Sequence, residues 1–129
     1  MIVLDASVVV ELVVGTSEGL RLLEDIRSAD AILAAPELVD VEVLQVLRRM
    51  VYRGVIEAVH AEASIGLLGD LPLTRYGHAA LRDRVWEFRH AMTAYDAVYV
   101  ALAERLEASL WTRDTKLASS SVEADIVVV

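Results

Sequence analysis

From Ala97 to Ala103 the chain reads AVYVALA, without a charge and with Tyr99 as its one polar side chain. A helix over these residues has no solvated face for two turns, so it must be covered on most sides, and its alanines let it approach a sheet closely. Thr93 precedes it as a cap that accepts an N–H from Asp96, three residues on, placing Asp96 in the first turn near the positive end of the helix dipole. Glu104, Arg105 and Glu107 mark the exposed end. Leu110-Trp111-Thr112 then has strand composition, and Arg113-Asp114 stops it with a second carboxylate. The stretch predicts a buried helix, a tight loop and a strand, with one aspartate at each switch of structure.

In open α/β sheets, binding sites form in the crevice beyond the carboxyl ends of the strands. Acids in equivalent places therefore stand out. Ile2-Val3-Leu4 is a short apolar run ended by Asp5-Ala6-Ser7, and Glu42 lies among core-type residues in a helix that opens after Pro36. Asp5, Glu42, Asp96 and Asp114 are far apart in sequence, and only a fold brings them together. Taken singly, Asp5 and Asp114 read as loop or capping residues and Asp96 as part of a helix start, in a chain with 20 acidic residues. Taken as a cluster without cationic partners, four carboxylates repel one another, which points to a bound divalent metal.

The remaining pattern alternates strands and helices. A short helix is expected over Val8–Val14, with Ser7 as its cap and Gly15 as its stop. Another opens at Ser17-Glu18 with Leu20, Leu23 and Ile26 on one face. A second strand spans Ala31–Ala35, and a helix runs from Pro36-Glu37 to about Arg53 with Val43, Leu44, Leu47 and Val51 as its stripe. Ile56–Leu68 is helical in pattern with His60 and Glu62 outward, Leu71–Thr74 is a brief strand, and Gly77–His90 a further helix resting on Leu81, Val85 and Phe88 or Trp86. Ser119–Ser121 is a loop and Ile126–Val129 a last strand. Such alternation predicts an α/β fold with a central, mainly parallel sheet covered on both faces. At 129 residues the chain is expected to form one domain, residues 1–129.

Four segments resemble the PIN-domain nucleases, and in particular the VapC-type toxins of toxin–antitoxin pairs. They are VLDAS at 3–7, VEVLQVLRR at 41–49, TAYDAVYVALAERL at 93–106 and LWTRDTKLA at 110–118. The resemblance implies a PIN-like three-layer α/β/α fold, with Asp5, Glu42, Asp96 and Asp114 as catalytic and metal-binding positions and Ser7 and Thr112 as polar residues supporting them. It further implies an Mg²⁺- or Mn²⁺-dependent endoribonuclease, an RNA substrate, a cognate antitoxin protein and a homodimer. The family's alternatives are an RNA-processing nuclease that is not a toxin, and a noncatalytic PIN-like assembly module, which would be expected to lose one of the four acids. A phospho-receiver domain has a similar length, but its paired acid near the first strand and its aspartate after a central strand are not visible.

The chemistry suits the acids. Hard carboxylate oxygens bind hard divalent cations, which activate water and neutralise charge on a phosphate, so no histidine base is needed. His60, His78 and His90 show no ligand spacing and read as surface residues, while Tyr95 and Trp111 read as core. A net charge of −8 argues against tight binding to nucleic acid by electrostatics alone. Arg48, Arg49, Arg53, Arg82, Arg84, Arg89 and Arg113 are candidates to steer phosphate. The composition is 56% hydrophobic with one Phe, more apolar surface than a small monomer easily hides, which predicts a protein interface. The absence of cysteine removes disulfides and thiolate sites and fits a reducing compartment such as the cytoplasm. Glu11 interrupts the first apolar run well short of the roughly 20 residues a membrane span needs.

Overall fold

The computed structural model describes residues 1–120 and 122–129. Its centre is strand β1 (Ile2–Leu4), buried throughout and paired in parallel on both sides. On one side lie β2 (Leu33–Pro36) and then β3 (Leu73–Tyr76); on the other lie β4 (Ser109–Thr112) and then β5 (Ile126–Val128). The sheet is five-stranded, all parallel, in the order β3-β2-β1-β4-β5. The chain winds outward from β1 in one direction and, after β3, returns to its other edge. That reversal leaves a crevice at the carboxyl ends of β1 and β4, the place where a doubly wound sheet takes its ligand.

Helices cover both faces, giving three layers. Between β1 and β3 the chain forms α1 (Ala6–Val14), α2 (Ser17–Ala29), α3 (Leu38–Tyr52) and α4 (Ala58–Asp70), with α1 packed on the other three. After β3 come a 3-10 turn (Ala79–Leu81), α5 (Arg82–Glu87) and α6 (Ala94–Leu106), which lies against β1, β2 and β4. A short α7 (Thr115–Ala118) follows β4. Among the described residues no helix is long and apolar enough to cross a membrane.

The buried helix is α6: Ala97 to Ala103 are all buried, as a run with no polar face requires. Gly15 ends α1 with φ of 75°, a left-handed conformation that an L side chain resists. Gly19 has a different task. A Cβ there would stand 1.9 Å from the carbonyl oxygen of Glu11, so α2 crosses α1 at backbone contact and only glycine fits.

Several sequence expectations shift. Asp5, not Ser7, caps α1, because its carboxylate reaches the Ala6 amide at 2.8 Å. Thr16 caps α2, whose buried residues are Gly19, Leu22 and Ile26, while Leu20 is 60% exposed. In α3 the buried stripe is Val39, Val43 and Leu47, with Leu44 outside it. The helix expected over Gly77–His90 is a 3-10 turn followed by six residues of α5, resting on Leu81 and Phe88 with Trp86 exposed. Tyr95 is not core: it is 64% exposed. His60 and His78 are engaged with backbone, through Val14 O at 2.8 Å and the Leu38 amide at 3.1 Å. Ser121 of the expected Ser119–Ser121 loop lies outside the described residues.

Candidate active site

The four acids arrive at the crevice from four elements. Asp5 ends β1, Asp114 follows β4, Asp96 sits in the first turn of α6, and Glu42 projects from the second turn of α3. Asp5, Glu42 and Asp96 are half-buried, and Asp114 is exposed.

Asp5 and Asp114 are held by one hydrogen-bonded corner. Asp5 Oδ2 accepts from Ser7 Oγ and from Thr112 Oγ1, both at 2.8 Å, while Oδ1 accepts the Ala6 amide. Thr112 Oγ1 in turn accepts the Asp114 amide at 3.0 Å, and Ser7 Oγ accepts the Arg113 amide at 3.1 Å. Two small hydroxyls thus stitch the β1–α1 corner to the β4–α7 corner, and both expected supporting residues, Ser7 and Thr112, are in that stitch. Asp114 caps α7 by accepting the Lys116 amide at 2.9 Å. Asp96 is positioned by the cap, its amide donating to Thr93 Oγ1 at 3.2 Å.

The electrostatics are those of like charges brought close. The Glu42 pKa is raised, first by burial and then by the charges of Asp5 and Asp96, against a lowering contact with Tyr99. That of Asp96 is raised by burial and then by Asp5, with Asp114 adding to the rise and Thr93 opposing it. Burial and neighbouring carboxylates thus both disfavour the charged forms of Glu42 and Asp96. Among the described residues, however, no three His, Asp or Glu side chains converge into a ready-made cation cage. The acids form a loose cluster.

A divalent cation fits the donor set. Glu42 Oε1 is buried with no hydrogen-bond partner, an orphaned acceptor that a cation at the crevice would compensate. A loose cluster is also what Mg²⁺ uses, because it keeps several waters and takes only one or two direct carboxylates.

Two features escaped the sequence reading. Tyr99 was simply part of the apolar run, yet it lies beside Glu42; its hydroxyl at three residues from Asp96, on a helix with no solvated face, was the available signal. Arg113 lies within 3.6 Å of Glu11 and 3.5 Å of Glu18, so it links the β4–α7 loop to α1 and α2. Nothing local in the sequence announces that pairing, which spans the whole chain.

A doubly wound parallel sheet whose switch-point crevice is lined by carboxylates from four separate elements defines a narrow class of α/β proteins. The chain belongs to the PIN-domain family, whose model matches residues 2–121. It is 35% identical over 130 residues to VapC ribonuclease Mb0985 of Mycobacterium bovis, covering 100% of this chain and 98% of that one. To ribonuclease VapC1 of Mycobacterium tuberculosis it is 38% identical over 119 residues, 92% of this chain and 89% of the relative. Among solved structures, it resembles VapBC2 from Rickettsia felis bound to a promoter DNA fragment, with a TM-score of 0.74 at 13% identity, covering 100% and 99% of the two chains. It also resembles VapC20 of Mycobacterium tuberculosis, described as a toxin cleaving the sarcin–ricin loop, with a TM-score of 0.69 at 15% identity over 92% and 94%. At those identities the likeness is one of fold.

Proposed function

We propose that the protein is a metal-dependent endoribonuclease hydrolysing RNA phosphodiesters, and that it serves as the toxin of a toxin–antitoxin pair. The observation that carries the chemistry is that Asp5, Glu42, Asp96 and Asp114 come from four elements to the carboxyl ends of β1 and β4, where the hydroxyls of Ser7 and Thr112 hold Asp5. Kinship with curated VapC ribonucleases along the whole chain selects RNA as the substrate. Asp5, Glu42, Asp96 and Asp114 would hold Mg²⁺ or Mn²⁺, which when bound supplies a water of lowered pKa and neutralises charge at the phosphate. Ser7 and Thr112 keep Asp5 aimed, and Thr93 keeps Asp96 at the start of α6. The half-burial of Asp5, Glu42 and Asp96 would limit the water around a reacting phosphate, which strengthens charge interactions there.

A net charge of −8 makes an RNA-binding toxin unusual without a cation to screen it, and the same charge favours a basic inhibitor. The antitoxin would lie over the crevice and place a basic side chain among the four acids, replacing part of the metal's charge and blocking the substrate together. The apolar surface left open supports protein partners, a homodimer among them: Tyr52, Val55, Val59, Trp86 and Tyr95 are each more than 60% exposed. Such a reaction belongs in the cytoplasm, where RNA is found.

Sequencing of RNA 5′ ends after brief expression tests the reading and names the target at once. Discrete new 5′ ends that disappear when Asp5 is replaced by Asn are expected. An unchanged 5′-end profile in cells that make the folded protein would refute endoribonuclease activity.

A further inference from the structure

Tyr99 lies three residues beyond Asp96 on α6 and is 1% exposed. Its hydroxyl and Glu42 Oε1 are the buried side-chain polar atoms, among the described residues, left without a formed hydrogen bond. They are neighbours. The phenol lies beside the Glu42 side chain and the Ala6 backbone without a formed hydrogen bond to either. A buried donor and a buried acceptor each left alone are costly, and a small side-chain rotation that closes one onto the other satisfies both. A phenol keeps its proton at neutral pH, so towards a carboxylate it acts as donor. Glu42 comes from α3 and Tyr99 from α6, so the contact joins two layers of the fold across the crevice.

We propose that Tyr99 is a positioning residue of the acidic crevice: its hydroxyl donates to Glu42 Oε1 and fixes the orientation in which that carboxylate meets a divalent cation. This rests on the metal-dependent reading above. It assigns a task to the hydroxyl alone, since the ring is core packing that Phe would supply equally.

The test is Mn²⁺ binding measured by titration calorimetry on the intact protein, which requires no turnover. Tyr99→Phe is expected to fold and to bind Mn²⁺ about 10- to 100-fold more weakly, the usual effect of removing a partner of a metal ligand. Because the hydroxyl acts through Glu42, the double variant Tyr99→Phe/Glu42→Gln is expected to match Glu42→Gln. Wild-type affinity in Tyr99→Phe, or a full additional loss in the double variant, would overturn the proposal and leave the metal reading standing. If the wild-type protein binds no Mn²⁺, both fall together. A second measurement needs no Tyr99 variant: the near-ultraviolet difference spectrum between wild type and Glu42→Gln should contain a perturbed buried tyrosine. An unchanged tyrosine band would overturn the contact.

Discussion

Thr112→Val is the sharpest probe of the stitch between the two corners of the site. Thr112 is fully buried at the end of β4, and valine matches its shape, so the exchange removes a hydroxyl and little else. Two hydrogen bonds go with it. The bond to Asp5 Oδ2 at 2.8 Å is made to a charged group, worth about 1.5–3 kcal/mol. The bond from the Asp114 amide at 3.0 Å is worth about 0.5–1.5 kcal/mol, less here because the exposed Asp114 lets water replace it. The added methyl returns about 0.8 kcal/mol through apolar burial. The net loss comes to roughly 1.5–3 kcal/mol, a fall in Tm of about 5–10 °C for a chain of this size. Asp5 keeps its bonds to Ser7 and Ala6 but loses the one that orients it toward β4, so RNA cleavage should drop about 10- to 100-fold. Thermal unfolding and single-turnover cleavage, each run beside Thr112→Ser as the variant that retains the hydroxyl, read both effects. A Thr112→Val protein that melts and cleaves like wild type would refute the reasoning.

Three other substitutions probe separate parts of the structure. Gly19→Ala forces a Cβ onto the Glu11 carbonyl, and since backbone cannot step aside, unfolding measurements should show a loss of about 3 kcal/mol or more. Glu42→Gln tests the charge coupling through pH. The folded-state pKa of Glu42 lies above its ordinary 4.5, so the stabilising protonated form is fully present below that ordinary value and its contribution is lost as pH rises through the raised one. In chelator, the Tm of Glu42→Gln should therefore gain on that of wild type as pH rises above the ordinary 4.5, and Mg²⁺ should narrow the gap by stabilising wild type; a gap that does not change with pH contradicts the raised pKa. Arg113→Ala breaks only long, partly exposed ion pairs to Glu11 and Glu18, so stability should change by less than about 1 kcal/mol. Its KM for RNA should rise at low salt and approach wild type at high salt, measured across an ionic-strength series.

The parts of the fold legible in the sequence are those governed by local rules. Thr93 capping α6, the apolar run of α6, and the carboxylates that end β1 and β4 all follow from short-range spacing, and the parallel sheet follows from their alternation. The errors arose where tertiary packing overrides the pattern. Leu20 and Leu44 fit a helical stripe as well as their neighbours do, but which stripe is buried depends on where α1 sits, and the Gly19 contact sets that for α2. The Gly77–His90 segment has helical periodicity yet breaks into a turn and a short helix, and its boundaries were not written in the local sequence. In the site, acids could be counted along the chain. The Asp5–Thr112 bond joins residues 107 positions apart, and the Tyr99–Glu42 contact joins two layers, so neither is visible without the fold.

Asp96→Asn tests most directly whether Asp5, Glu42, Asp96 and Asp114 would hold a divalent cation for RNA hydrolysis. Asn caps a helix start about as well as Asp, and the dipole contribution is only about 0.3–1 kcal/mol, so the folded state should survive with Thr93 still accepting the amide at position 96. As a ligand, the same exchange removes one negative charge from a loose site that depends on several. The measurement is Mn²⁺-dependent cleavage of a structured RNA by wild type and Asp96→Asn, with thermal unfolding of both as the control. Near-equal unfolding and a loss of cleavage by orders of magnitude are expected; an Asp96→Asn protein that folds and cleaves like wild type would contradict a metal-binding role for Asp96.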